Sequence, residues 1–183
     1  ALYGSLRKGE TVLPDEDLTA DMFDCAVDAL TKAGFGHYEI SNYARPGRQC
    51  RHNMNYWERG EYLGLGAGAH SFSGEKRWCN TRDIAEYIKS LRRGVIPVVE
   101  SEDISMEDAL KEYVFLGLRK TGGFSIKKMP GGAGPEDAFK EKCGDFISEG
   151  LMELRGENVR LTEKGIRLYN QIVIRLISAF DSR

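Results

Sequence analysis

Residues 37–72 read HYEISNYARPGRQCRHNMNYWERGEYLGLGAGAHSF, and the rest of the chain is arranged around them. The stretch holds all three histidines (His37, His52 and His70), one of the two tryptophans and a run of alternating glycines. Gly64, Gly66 and Gly68 alternate with Leu65, Ala67 and Ala69, a period of two that predicts a strand over Tyr62 to Ala69. Glycine weakens a strand interior, so its repetition there points to close approach by a ligand or another backbone, or to tight packing of strand on helix.

Upstream, Asp15 is an N-cap for a helix carrying Leu18, Met22, Cys25, Ala26, Ala29, Leu30 and Ala33, which Gly34 ends. Leu2-Tyr3 reads as the end of a buried strand and Tyr38-Glu39-Ile40 as another, so the order predicts a β–α–β unit with parallel strands. Arg45, Arg48 and Arg51 sit in the Pro46-Gly47 loop, either as solvated charge or as an anion site. The run His52 to Trp57 is dense in side chains with a flat apolar body and a polar tip, which suit a planar ligand.

Downstream, Ser73 to Lys76 predicts a hairpin turn and Arg77 to Asn80 its return strand. A helix follows, capped by Asn80 or Thr81, with Ile84, Tyr87, Ile88 and Leu91 as its buried face. Pro97 marks an edge strand or linker, which separates domains at 1–96 and 103–183. Ser105 with Asp108 caps the next helix. Residues 129–135 (MPGGAGP) read as a loop and the region around Cys143 as short helices. A hairpin over 151–161 and a last helix capped by Thr162 complete a winged-helix-like pattern. The helix before that hairpin is acidic (Glu136, Asp137, Glu141, Asp145, Glu149), which phosphate would repel, so no nucleic-acid partner is expected.

Composition sets the outer bounds. Apolar residues at 41%, charged residues at 30% and a net charge of −2 describe a globular chain without a global field for nucleic acid or an acidic membrane. No apolar run is long enough for a membrane span, and no export signal opens the chain, so a cytoplasmic location is expected. Cys25, Cys50, Cys79 and Cys143 form no CxxC-like clip, so they read as reduced thiols, Cys25 in the core and Cys50 in a basic setting that favours thiolate.

HYEISNYARPGRQCRHNMNYW, EYLGLGAGAHSF and the terminal LTEKGIRLYNQIV together resemble the back half of the oxygen-independent coproporphyrinogen III oxidase family of radical SAM enzymes. HNMNYW fits the HNxxYW element of the branch regarded as haem chaperones. The resemblance implies an α/β fold, the end of a partial (β/α) barrel followed by a mostly helical winged-helix-like domain. It implies a missing N-terminal barrel half whose CxxxCxxC would hold a [4Fe–4S] cluster and, with it, S-adenosylmethionine. The cluster ligands are absent here, so this piece alone is expected to be inactive, and its exposed barrel edge is expected to favour a dimer. By resemblance, Gly64, Gly66, Ala67, Gly68, Ala69 and His70, with Leu6, lie on the S-adenosylmethionine side. His52, Tyr56, Trp57 and Arg51 face haem or porphyrin, with His52 as ligand to haem iron. Two functions follow: oxidative decarboxylation of coproporphyrinogen III to protoporphyrinogen IX, or haem binding and delivery to acceptor proteins without oxidase activity.

Overall fold

The computed structural model describes residues 2–181. It has the α/β character expected, with eight α-helices and three small sheets among the described residues and no closed barrel. The chain forms two compact units, residues 1–49 and 50–183.

In the first unit, α1 (Leu2–Arg7) leads to α2 (Glu16–Lys32) and a hairpin of β1 (Gly36–Glu39) and β2 (Asn42–Ala44). Asp15 caps α2 by accepting from the Leu18 amide at 2.8 Å, as its position predicts. Four expectations fail here. Leu2-Tyr3 is helical rather than extended, because no strand lies beside it and a helix satisfies its own backbone groups. The parallel β–α–β unit is replaced by an antiparallel pair, with His37 stacked on Tyr43 at 4.3 Å across the two strands. The apolar stripe of α2 is also left uncovered within this unit, and Cys25 is exposed rather than core.

The second unit opens with α3 (Arg51–Trp57). β3 (His70–Ser73) and β4 (Lys76–Asn80) form the expected hairpin, and β5 (Val98–Asp103) adds to β4, giving the order β3-β4-β5. The segment after Pro97 is thus an edge strand rather than a linker, and Glu100, Glu102 and Asp103 place charge along that edge. Between β4 and β5 runs α4 (Ile84–Arg92), capped by Asp83 rather than Asn80 or Thr81. Of its expected buried face only Tyr87 is half-buried; Ile84 is 69% exposed, and Ile88 and Leu91 are also exposed.

From here helices dominate: α5 (Met106–Gly117), α6 (Ala133–Ser148), α7 (Glu163–Arg167) and α8 (Tyr169–Asp181). Ser105 accepts from the Asp108 amide and donates to its carboxylate, the cap read from sequence. The short helices expected around Cys143 are one continuous helix, α6, because Phe139, Cys143 and Phe146 share a single buried face at three- and four-residue spacing. The hairpin β7 (Met152–Arg155) and β8 (Asn158–Leu161) is joined by a short strand, β6 (Phe124–Ser125), in the order β6-β8-β7. Thr162 caps α7 through the Gly165 amide, and the expected single helix breaks at Leu168.

The core of this part joins Val114, Leu118, Phe124, Phe139, Met152, Val159, Ile172 and Leu176, all almost fully buried. Each such side chain contributes roughly 1.5–3 kcal/mol by leaving water. Cys143 lies in the same core, and burial pushes its thiol up to about 12. A thiol-specific reagent at pH 8 should therefore modify Cys25 and Cys50, both exposed, while Cys79 and Cys143 react only after denaturation. Fast reaction at all four would contradict this packing. Since Cys143 keeps its proton longer folded than unfolded, it also favours the folded state less as pH rises from its ordinary value near 9 towards 12.

Candidate functional site

The site is built on α3, the loop 58–69 and the elements packed against them. On α3, His52 and Tyr56 are four residues apart and therefore share a face. Their rings meet edge to face at 4.7 Å, Tyr56 meets Tyr62 in the same way at 4.7 Å, and Tyr62 lies 6.2 Å from Phe72. A row of four rings thus runs from exposed His52 to buried Phe72. Among the described residues nothing hydrogen-bonds the His52 imidazole. Arg51, the preceding residue, is exposed in the first turn of α3. Trp57 points elsewhere: its ring lies under the Arg119 guanidinium at 4.2 Å, and its indole Nε1 is buried without a hydrogen-bond partner.

The glycine run is a loop, not a strand. Only Tyr62 pairs, with Phe72 as an isolated bridge. Gly66 and Gly68 have φ of +112° and +72°, a region closed to most side chains, and this is why glycine recurs. Period two in glycine therefore reported backbone shape rather than strand pleat. The amides are spent internally: Gly64 N donates to Ser71 Oγ, Gly66 N to Tyr87 Oη and Gly68 N to the Thr81 carbonyl, at 3.0, 3.0 and 2.8 Å. The Asn80 side-chain Nδ2 donates to the Gly66 carbonyl at 3.0 Å. Ser71, Asn80 and Tyr87 thus shape this loop, and nothing local in the sequence marks them for that task. At Gly64 a Cβ would lie 2.0 Å from the His70 carbonyl, so the loop closes tightly on its own chain there. At Gly66 the corresponding space is open.

The structure keeps Gly64, Gly66, Ala67, Gly68, Ala69 and His70 together in this loop and the start of β3, with His70 and Ala67 exposed. Leu6 lies in the first unit, on α1. His52 and Tyr56 are brought together; Trp57 adjoins them around the helix.

Sequence reasoning missed a charged group behind the aromatic row. Arg59 Nε donates to Glu112 Oε2 at 3.0 Å and Arg77 Nη2 to Glu112 Oε1 at 2.6 Å, so one carboxylate bridges two guanidiniums. Both guanidiniums also lie over the Phe72 ring, at 4.6 and 5.8 Å. Burial works against the Arg77 charge, but Glu112 and Tyr62 more than offset it, and its pKa is raised. Nearby, burial lowers the pKa of Lys120 although Glu58 stands 3.6 Å from it.

An open pocket of about 310 Å³ is lined by Tyr56, Trp57, Arg59, Tyr62, Phe72 and Arg77, among others, with Glu112 and Phe115 contributed by α5. His52 is outside it. Among the described residues no three His, Cys, Asp or Glu side chains converge as a metal site. Of the four free cysteines, Cys25 and Cys50 are exposed and Cys79 and Cys143 are buried. An exposed imidazole without a competing hydrogen bond does fit an axial haem ligand. No helix among the described residues is long and apolar enough to cross a membrane.

Residues 104–168 match the HemN C-terminal domain. The heme chaperone HemW of Mycobacterium tuberculosis is 34% identical over 97% of this chain and 44% of its own length. HemW of Bacillus subtilis is 32% identical over 93% and 45%. HemW of Haemophilus influenzae is 52% identical over 88% and 42%. Among solved structures, coproporphyrinogen III oxidase (HemN) from Escherichia coli, a radical SAM enzyme, superposes with a TM-score of 0.65. That match covers 93% of this chain and 42% of that one at 15% identity, a likeness of fold alone. The α/β arrangement therefore has the fold of the matched part of that structure, and its residues 104–168 match the HemN C-terminal domain. Along nearly all of its length the chain is thus similar to part of proteins named heme chaperone HemW, and it spans less than half the length of these relatives.

Proposed function

We propose that the chain is the haem-handling part of a haem-binding and delivery protein, in which the exposed His52 imidazole ligates haem iron and Tyr56 packs against the macrocycle. The observation that carries this is the geometry of α3: an imidazole at the surface, free of hydrogen bonds and backed by an aromatic row. The relatives that bear the name heme chaperone support this reading over oxidation of coproporphyrinogen. Arg51, one residue away, is suited to pair with a propionate. The exposed Ala67 and His70 of the glycine loop, with open space beside Gly66, would offer contact surface to an adenosyl group in a longer protein. Thiolates for a cluster would have to come from residues outside this chain.

Haem titrated into the chain should give a Soret shift, and His52→Ala should weaken binding by at least about tenfold, the equivalent of losing one good coordinating contact of ~1.4 kcal/mol. An identical shift and affinity in the variant would remove His52 from the proposal. Vinyl product formed from coproporphyrinogen by a full-length version under anaerobic, reducing conditions would favour the oxidase reading instead.

A further inference from the structure

We propose that the cavity between α3, the β3–β4 hairpin and α5 is a binding site for a small carboxylate carried on a flat apolar body. His52 does not line this cavity, and the binding of an acid in it does not depend on haem at His52. Its walls are aromatic: Tyr56, Trp57, Tyr62, Phe72 and Phe115. At about 310 Å³ it lies at the lower end of ligand-site volumes, which suits one ring with an acidic arm rather than a whole macrocycle.

Three observations select an anion. First, two donors on lining residues, Trp57 Nε1 and Arg59 Nη2, are buried and have no acceptor, an arrangement that costs free energy until an acceptor arrives. Second, Arg59 and Arg77 share the single carboxylate that lines the cavity, Glu112, while Glu102, which pairs with Arg77 at 3.7 Å, lies outside the lining and mostly in water. The cavity lining thus holds two guanidiniums and one carboxylate, and an incoming carboxylate would add a charge-assisted hydrogen bond to them. Third, Arg59 has φ of +54°, the only non-glycine residue with positive φ among the described residues. It occupies the position just past α3 that glycine usually takes, so the backbone bears the left-handed cost in order to present a guanidinium there.

The source of such a carboxylate is either a free acid or the propionate of a porphyrin, and the test separates the two. Calorimetry on the 183-residue chain uses 3-phenylpropionate and its neutral amide. The acid should bind at least about tenfold tighter than the amide, the difference expected of a charge-assisted contact. Arg59→Lys keeps a cation beside Glu112 but loses the orphan N–H, and should weaken the acid alone. Trp57→Phe keeps the ring and loses the indole donor, with the same expected direction. Should either variant fail to fold, the comparison of acid with amide on the unaltered chain still decides. Equal affinities for the two, or no binding of the acid at millimolar concentration, would overturn the proposal. With the acid bound, a haem titration assigns its origin. Weaker haem uptake identifies the acid as a stand-in for a propionate, and unchanged uptake identifies a free acid; both outcomes support a carboxylate site.

Discussion

Glu112→Ala should lower the stability of the second unit by about 2–4 kcal/mol, read as a lower urea midpoint of tryptophan fluorescence. The reasoning starts from what stays behind. Arg59 and Glu112 have side chains only 14% and 15% exposed, and Arg77 is one-third exposed. Deleting the shared carboxylate leaves two guanidiniums close together over Phe72, Arg59 without its carboxylate and Arg77 with only the largely solvated Glu102, so much of the desolvation already spent on them is no longer offset. A fully buried triad would lose more; the exposure of Arg77 lets water recover part of the cost. Glu102→Ala serves as the control, since it also faces Arg77 but sits largely in solvent, and should change stability by under about 0.5 kcal/mol. Equal costs for the two variants would mean that the bridge holds nothing together. The prediction also bears on function, because Glu112 orients Arg59, whose free N–H faces the demand for an acceptor.

The contrast between what could and could not be read in advance has a physical pattern. Features set by neighbours in sequence were legible: the caps at Asp15, Ser105 and Thr162, and the hairpins at Gly74 and Gly156. Features set by distant partners were not. Arg59 and Arg77 meet Glu112 from 53 and 35 positions away, and no local pattern announces such a triad. The glycine loop misled for a different reason. A residue without a side chain carries no inward or outward preference, so its alternation with Leu and Ala mimics a pleat, whereas the backbone required positive φ at Gly66 and Gly68. The stripes on α2 and α4 show a third limit. Periodicity marks a face that would gain by burial, but it does not say what covers it, and Leu18, Met22, Ile84 and Leu91 are exposed in their own units.

Gly123→Ala should be the most damaging single-methyl change in the chain, costing more than about 3 kcal/mol, because two separate penalties fall on one residue. Its φ of +68° is unfavourable for any side chain, and a Cβ would lie 1.8 Å from the Val159 carbonyl oxygen and 2.7 Å from Arg160 Cβ. The first contact is with backbone of β8, so relief requires parting β6 from β8 at the Phe124–Val159 pair. That motion would also draw Phe124 from between Tyr113 and Phe139, at ring distances of 5.3 and 5.6 Å. Two other glycines isolate the terms. Gly156, in the β7–β8 turn, has φ of +62° but open space, so Gly156→Ala should cost only the left-handed penalty of about 1–2 kcal/mol. Gly165, in α7, has ordinary helical φ, yet a Cβ there would lie 2.0 Å from the Leu151 carbonyl oxygen, so Gly165→Ala should show overpacking alone, about 1–3 kcal/mol. Urea unfolding of the three variants should rank Gly123→Ala last in stability. A Gly123→Ala protein as stable as Gly156→Ala would mean that β6 stands further from β8 than the Phe124–Val159 pairing requires.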